Sequence, residues 1–446
     1  MRTYKKIPEN VFRFWTSGMM YFFVTLVGLF WLGALVSRAA TFYVATNGPG
    51  GGATNWVTAT NNIQDAISLA TNAYDIVLVS NGVYETGGVT NCPAGFTLTN
   101  RVAITNKITV MSANNNPTNT IIKGAWDSAI NGPGPAAVRC VYMVNTSSLI
   151  GFTLAQGATL LPGLLTNNDH KGAGVLAAQG FAGDNIIISN CVIISNWSGY
   201  MGGGVSYGRV YNSSLITNKV VNRGGGMYAG TMFNSVVSGN TSLANGGGMY
   251  SSVISNCTIV NNSAALGGGA FWGTLNNCVI ANNSASASGG GTYLSALYNC
   301  LVTGNSANPS SGEGGGATTN SLHNCTIVSN SAKYGSGVSR STNINCIIYN
   351  NSTNNWYSTA VFSNSCTTPT TTVWEAGNIT NDPMFVNAGA GNYHLRMGSP
   401  CVNTGTNQDW MINAVDLDGN ARILNTIVDM GAYETILRQG TIIVIY

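Results

Sequence analysis

Between residues 188 and 351 the apolar positions follow two superimposed periods, one of two residues and one of about 22. The run Asn190-Cys191-Val192-Ile193-Ile194-Ser195-Asn196 is one copy of the longer pattern. Its anchor, Cys191, has equivalents at 213, 235, 257, 278, 300, 325 and 346, with spacings of 22, 22, 22, 21, 22, 25 and 21. A fixed period this short predicts a solenoid. Two places after each anchor stand Ile193, Leu215, Val237, Ile259, Ile280, Val302, Ile327 and Ile348. All are branched aliphatics. Side chains alternate along a strand, so anchor and aliphatic share an inward face. The residue between them is mixed and partly polar, as an outer face is. Three places before the anchor is a second apolar column, Ile188, Val210, Met232, Ile254, Leu275, Leu297 and Leu322, which Asn343 breaks.

Five places after the anchor is asparagine in every copy: Asn196, Asn218, Asn240, Asn262, Asn283, Asn305, Asn330 and Asn351. Asparagine tolerates left-handed backbone and bonds local amides, which predicts a recurrent tight turn. Amides stacked at one coil height can also bond along the stack. Glycine triplets follow, from Gly202–Gly204 to Gly314–Gly316, and weaken to Gly335-Ser336-Gly337. They fit a sharp bend or close backbone approach. Short strands, turns and an inward aliphatic stack predict an all-β chain, a single-stranded parallel β-helix of about 22 residues per coil.

The coils resemble those of right-handed parallel β-helix proteins of the pectin-lyase-like superfamily. The glycine triplets followed by Met-Tyr or Ala-Phe, with the asparagine-rich runs, resemble repeats of chlamydial polymorphic outer-membrane proteins. Phe42-Tyr43-Val44, NNIQDAISLA and DIVLVSNGVYE resemble the start of such a helix, where a short capping helix closes the open end. Ile63, Ala66, Ile67 and Ala70 fit one face of that cap. The resemblance implies a right-handed winding, which parallel crossovers also favour. DPMF at Asp382, YHLRMGSPCVNTG at Tyr393, DLDGNAR at Asp416 and DMGAYE at Asp429 resemble the tail of bacterial choice-of-anchor Q proteins. The expected organisation is residues 1–39 signal peptide, 40–375 β-helix with its cap, 376–434 tail and 435–446 extension.

Composition supports a turn-dominated repeat, with 56 glycines and as many asparagines in 446 residues. Charge narrows the function. The net +3 comes from the first 39 residues, which hold five Lys and Arg against Glu9. The rest carries thirteen basic and fourteen acidic residues, so no basic stripe is left for nucleic acid. The basic start, the apolar run Gly18–Val36 and the small residues Ser37, Ala39 and Ala40 predict an export signal cleaved after Ala39. No second run of that length occurs, so the mature chain is expected to be secreted or at the cell surface, without a membrane span.

Between Asp184 and Glu375 the only acidic residue is Glu313. Paired carboxylates for glycoside cleavage, or a carboxylate calcium cage, therefore do not arise from the regular coils. Two places carry candidate chemistry. Asp169, His170 and Lys171, with Asp184 nearby, form the densest polar cluster beside the coils and are the fallback catalytic set. The Asp416-x-Asp418-Gly419 turn lacks the later ligands of a calcium loop, and Arg422 pairing with Glu434 would make it structural. His323 is on the outer face and His394 in the tail, neither with a partner at metal-ligand spacing. Six cysteines share the anchor column, Cys191, Cys257, Cys278, Cys300, Cys325 and Cys346, while Ser213 and Ser235 fill it elsewhere. That exchange reads as small inward side chains and free thiols rather than a metal set. Cys92, Cys140, Cys366 and Cys401 have no assigned partner. Outward aromatics after the triplets, Tyr228, Tyr250, Phe271 and Tyr293, are the candidate binding residues for polysaccharide or a cell-surface partner. The expected function is a non-catalytic, adhesin-like or carbohydrate-binding exported protein without a cofactor. The alternative is a divergent polysaccharide lyase or glycoside hydrolase, and only that reading calls for calcium.

Overall fold

A computed structural model describes residues 39–144, 146–163, 167–178, 185–369 and 377–436. The expected signal segment, Asp184, the expected boundary at 375/376 and all but the first two residues of the extension lie outside them. Each regular coil passes through three strands separated by turns. Met227–Tyr228 pairs in parallel with Met249–Tyr250, Thr231–Phe233 with Val253–Ser255, and Val236–Ser238 with Thr258–Val260. Every partner is one coil further along, so Met232 lies over Ile254 and Val237 over Ile259. Repetition builds three long parallel sheets. Among the described residues the first has 13 strands (Thr41–Val44 to Val361–Ser363), the second 11 (Thr99–Ile104 to Trp356–Tyr357) and the third 12 (Gly82–Tyr84 to Cys366–Thr367). Six short strands, from Trp197–Ser198 to Ser306–Ala307, add a narrow fourth. The chain is a single-stranded right-handed parallel β-helix, the hand that parallel crossovers adopt.

The two aliphatic columns form the core together with the second sheet's inward residues, among them Val205, Met227 and Met249. Val237, Ile259 and Ile280 in the third sheet, and Val210, Met232 and Leu275 in the first, are wholly buried. Asn343, where the column breaks, is equally buried; its amide nitrogen donates to the carbonyls of Ser341 and Val361. The helix Ile63–Leu69 packs Ile63, Ala66 and Ile67 on the strands Thr41–Val44, Ile76–Val79 and Thr99–Ile104, with Asn62 accepting from the Gln64 amide at its N-terminus.

The anchor column explains its own Cys/Ser exchange. Ser213 Oγ donates to the Tyr211 carbonyl at 2.6 Å, and Cys257 Sγ to that of Ser255 at 3.1 Å. The same atom accepts from the anchor amide one coil back, as Ser235 Oγ does from Ser213 N and Cys257 Sγ from Ser235 N. Hydroxyl and thiol both donate and accept, so either fills the place.

The asparagine column differs from the expectation in one respect. The left-handed residue of this turn is one place earlier, at Ser195, Thr217, Asn261, Asn282, Ser329 and Asn350, or is Gly239 or Gly304. That turn swings the asparagine inward. Asn218 donates from Nδ2 to Asn240 Oδ1 at 2.9 Å, Asn240 to Asn262 at 3.0 Å and Asn262 to Asn283 at 2.9 Å. The ladder runs unbroken from Asn196 to Asn351, and each backbone amide also bonds the next Oδ1, as Asn240 N does that of Asn262. The second and third glycines of each triplet face the next coil's backbone. A Cβ on Gly247 would stand 2.4 Å from the carbonyl oxygens of both Gly268 and Ser263.

The tail lies along the outside of the third sheet. Its antiparallel strands Phe385–Asn387 and Asn392–Leu395 bring Phe385, Tyr393 and Leu395 onto Leu301, Val328 and Ile347. This is why the outer positions of the last coils become apolar.

Candidate functional site

The structure places the candidate residue Asp169 in a tie between two loops. Asn168–His170 form one 3-10 turn, and Asp169 is 4% exposed. Its carboxylate accepts from Thr97 N at 3.0 Å, Thr97 Oγ1 at 3.2 Å and Leu98 N at 3.2 Å. Arg139, fully buried, donates to the Lys171 and Gly172 carbonyls, and burial pulls its pKa down to about 10. His170 is buried, with Nδ1 3.3 Å from the Leu160 carbonyl. The Lys171 ammonium sits 5.9 Å from the centre of the Tyr207 ring. The Asp169 carboxylate is used to close a loop; Asp184, the fourth member of the candidate set, lies outside the described residues.

Tyr228, Tyr250, Phe271 and Tyr293 do project outward from the second sheet, but they stack on one another. Successive centroids are 5.6, 5.2 and 5.3 Å apart, with planes within 15° of parallel. Tyr250 and Phe271 are only 6% and 9% exposed, and the Arg223 guanidinium lies over Tyr250 at 5.1 Å. The faces between neighbouring rings are covered by the stack, while Tyr228 and Tyr293 at its ends remain part-exposed.

The tail motifs form a buried polar knot. Asp416 accepts from the amides of Asp418, Asn420 and Glu434, and Asp429 from those of Asn403 and Thr435. Arg422 pairs with Glu434 at 3.2 Å, both side chains fully buried. Burial pushes Glu434 up to about 8, against the pull of Arg422. His394 meets Asp418 at 2.6 Å on the surface and packs over Tyr433. Among the described residues, no three His, Cys, Asp or Glu side chains cluster closely enough to hold a metal ion. Glu313, in the coils, is paired with Arg340 at 2.7 Å.

The free surface is elsewhere, on the outer face of the first sheet. Two clefts flank the strands Val253–Ser255, Thr274–Asn276 and Ala296–Tyr298. One, of about 490 Å³, is bordered by Val253, Trp272 and Leu294; the other, of about 470 Å³, lies between Asn277, Tyr298 and Asn299 and the tail residues Trp410 and Val415. A three-residue strand spans only about 7 Å between the positions that open into each cleft. No charged side chain lines either cleft.

Trp272 is 62% exposed and has φ +53°. The equivalent turn position in other coils is Tyr207, Ala229, Ser251, Leu294, Thr319 or Arg340, also left-handed. A bulky side chain is costly in that conformation, by roughly 1–2 kcal/mol. In the second cleft Tyr298 stacks on His323 at 4.8 Å and meets Trp410 edge-on at 5.2 Å. Gln408 Oε1 fixes this group, lying 2.7 Å from Trp410 Nε1 and 3.1 Å from His323 Nδ1. Trp272 carried a readable signal, an aromatic one place after the ladder column. Trp410 did not, because the tail's docking site is not encoded in the coil period.

Fold and surface together define a right-handed parallel β-helix with two uncharged, aromatic clefts on its first sheet. No protein-family model and no curated protein matches the chain. Among solved structures it is similar to pectate lyase Pel9A, at 14% identity over 89% of this chain and 97% of that one, with a TM-score of 0.45. It is similar to a mannuronic acid specific family 6 polysaccharide lyase from human gut microbiota (11%, 73% and 80%, 0.35). It is also similar to the A-module of the Azotobacter vinelandii mannuronan C-5 epimerase AlgE4 (11%, 76% and 100%, 0.34).

Proposed function

We propose that this chain is an exported, non-catalytic β-helix that binds an uncharged polysaccharide along the outer face of its first sheet. The observation that carries the reading is the pair of uncharged clefts with Trp272 at one end and Tyr298 and Trp410 at the other. Aromatic rings offer apolar faces to the C–H surface of a sugar, and the asparagines and hydroxyls around them bond its hydroxyl groups. The side chains Ser255, Thr274 and Asn276 between the clefts are polar and neutral. The described coils lack the pair of free carboxylates that hydrolysis of a glycosidic bond uses.

The test is a panel of neutral and uronic-acid glycans, screened for both binding and cleavage, with and without calcium. Binding of a neutral glycan, weakened in Trp272→Ala and Trp410→Ala, is the expected result. Cleavage of any glycan would turn the reading to a lyase or hydrolase. Binding confined to uronic-acid polymers would remove the argument from the uncharged clefts.

A further inference from the structure

Asp75 is a buried acid held only by neutral groups. It stands just before the strand Ile76–Val79 and is wholly shielded from solvent. Its Oδ2 accepts from the Asn72 amide at 3.0 Å and its Oδ1 from the Ala40 amide at 2.8 Å. The ion pairs among the described residues are Lys123 with Glu85, Arg340 with Glu313, His394 with Asp418 and Arg422 with Glu434, and none includes Asp75. Lys107, whose carbonyl accepts from Tyr74 N, holds its ammonium 4.4 Å from the centre of the Tyr74 ring. A buried carboxylate without a positive partner is costly.

The fold fixes the atom that meets it. Thr41–Val44 pairs in parallel with Ile76–Val79, and the Ala40 carbonyl accepts from Ile76 N at 2.8 Å. Ala39, one place earlier, is exposed. The donor to Asp75 is therefore the nitrogen of the peptide bond between Ala39 and Ala40. That is the bond at which the sequence predicts the export signal to be cut.

We propose that cutting after Ala39 turns this hydrogen bond into a buried ion pair, which fastens the first strand at the mouth of the β-helix. Water adds its hydroxyl to the Ala39 carbonyl carbon and a hydrogen to the Ala40 nitrogen as the bond between them breaks. The acid so formed gives its proton to the amine, leaving a carboxylate on Ala39 and an ammonium on Ala40. Three N–H groups and a full positive charge then stand where one neutral N–H stood, at a position already 2.8 Å from the carboxylate. A cut one residue later would carry that nitrogen off with the leader, so the site selects the first bond over the second.

The cut rests on the export reading and the pair does not, and the test separates them. In the full chain, Val36→Ile, Ser37→Glu, Arg38→Gly and Ala39→Arg install a factor Xa site that frees Ala40 in vitro. The cut chain is carbamylated with cyanate at pH 7, native and unfolded, and modification of Ala40 is read by peptide mapping. The native amine reacts about tenfold more slowly for each unit by which pairing raises its pKa. Asp75→Asn keeps the shape, removes the charge and restores most of the rate. Cutting raises the thermal midpoint of the parent by several degrees, and that of Asp75→Asn by less; the measurements on the parent need no variant to fold. An Ala40 amine as reactive in the native chain as in the unfolded one, or equally slow in Asp75→Asn, overturns the proposal. So does a chain recovered from its own cells that starts at Thr41. A recovered chain that starts at Ala40 supports it. One still joined to Ala39, with the pair forming after the cut in vitro, supports the site and counts against export.

Discussion

At the scale of single residues, the coil stack depends on side chains that both give and take a hydrogen bond. Asn262 accepts from Asn240 N and Nδ2 and donates to the Val237 carbonyl and to Asn283. Asn262→Ala strands several buried groups at once, so a loss of about 2–4 kcal/mol is expected, read as a lowered midpoint in denaturant. The anchor makes a finer distinction. Ser235→Cys keeps donor and acceptor and is expected to change stability by less than about 1 kcal/mol, whereas Ser235→Ala leaves the Ser213 amide unpaired and costs roughly 1–2 kcal/mol. Equal losses in the two variants would show that the side chain is only a spacer. Ile259→Asp puts an unpaired charge in the core and is expected to cost about 3–5 kcal/mol or prevent folding; a parent-like melt would mean that Ile259 does not point inward.

At the scale of elements, two joints set the behaviour. The glycine triplets let one coil's backbone lie against the next. Gly247→Ala places a Cβ against two carbonyl oxygens, neither of which can yield without moving its coil. A loss of about 3 kcal/mol or more is expected, with the lost protection from hydrogen exchange centred on the coils around residues 247 and 268. The second joint is the tail knot. Glu434 has a folded pKa of about 8 against an ordinary 4.5, so the folded state binds a proton more tightly than the unfolded chain. Its contribution is whole below about 4.5 and fades as pH rises towards 8. Exchange of the amides of Met430 and Ala432, corrected for its intrinsic pH dependence, is therefore expected to show easier opening at pH 8.5 than at pH 5. Glu434→Gln should flatten that trend, and an unchanged slope in this variant would assign it to another group.

At the scale of the whole molecule, the described coils present several faces, and the tail covers part of the third sheet. The exposed aromatic clefts lie on the first. If an uncharged polysaccharide occupies them, Trp272→Ala and Trp410→Ala should each weaken binding roughly tenfold, about 1.4 kcal/mol, with the fold intact by circular dichroism. Binding should change little between low and high salt, because no charged group lines the clefts. Strong salt dependence, or full affinity in both variants, would move the working surface to another face.

The coil period, the inward aliphatic columns, the asparagine ladder and the capping face of Ile63, Ala66 and Ile67 were all readable from the sequence. Each repeats, or lies on one local face, so the chain states it many times over. What the repeat cannot state is how distant segments meet. Asp169 looked like an exposed acid until the backbone of Thr97 and Leu98 closed over it. Tyr250 and Phe271 looked like free platforms, but rings one coil apart lie near 5 Å and cover each other's faces. Leu301 and Ile347, at outer positions of the last coils, are covered in the folded chain. Only the folded chain showed that the cover is the tail, which brings Trp410 to Tyr298. Periodicity fixes a coil because its contacts are between like residues one turn apart; the tail joint and the cleft it closes join unlike residues far apart in the chain, such as Tyr298 and Trp410, and three-dimensional packing alone decides them.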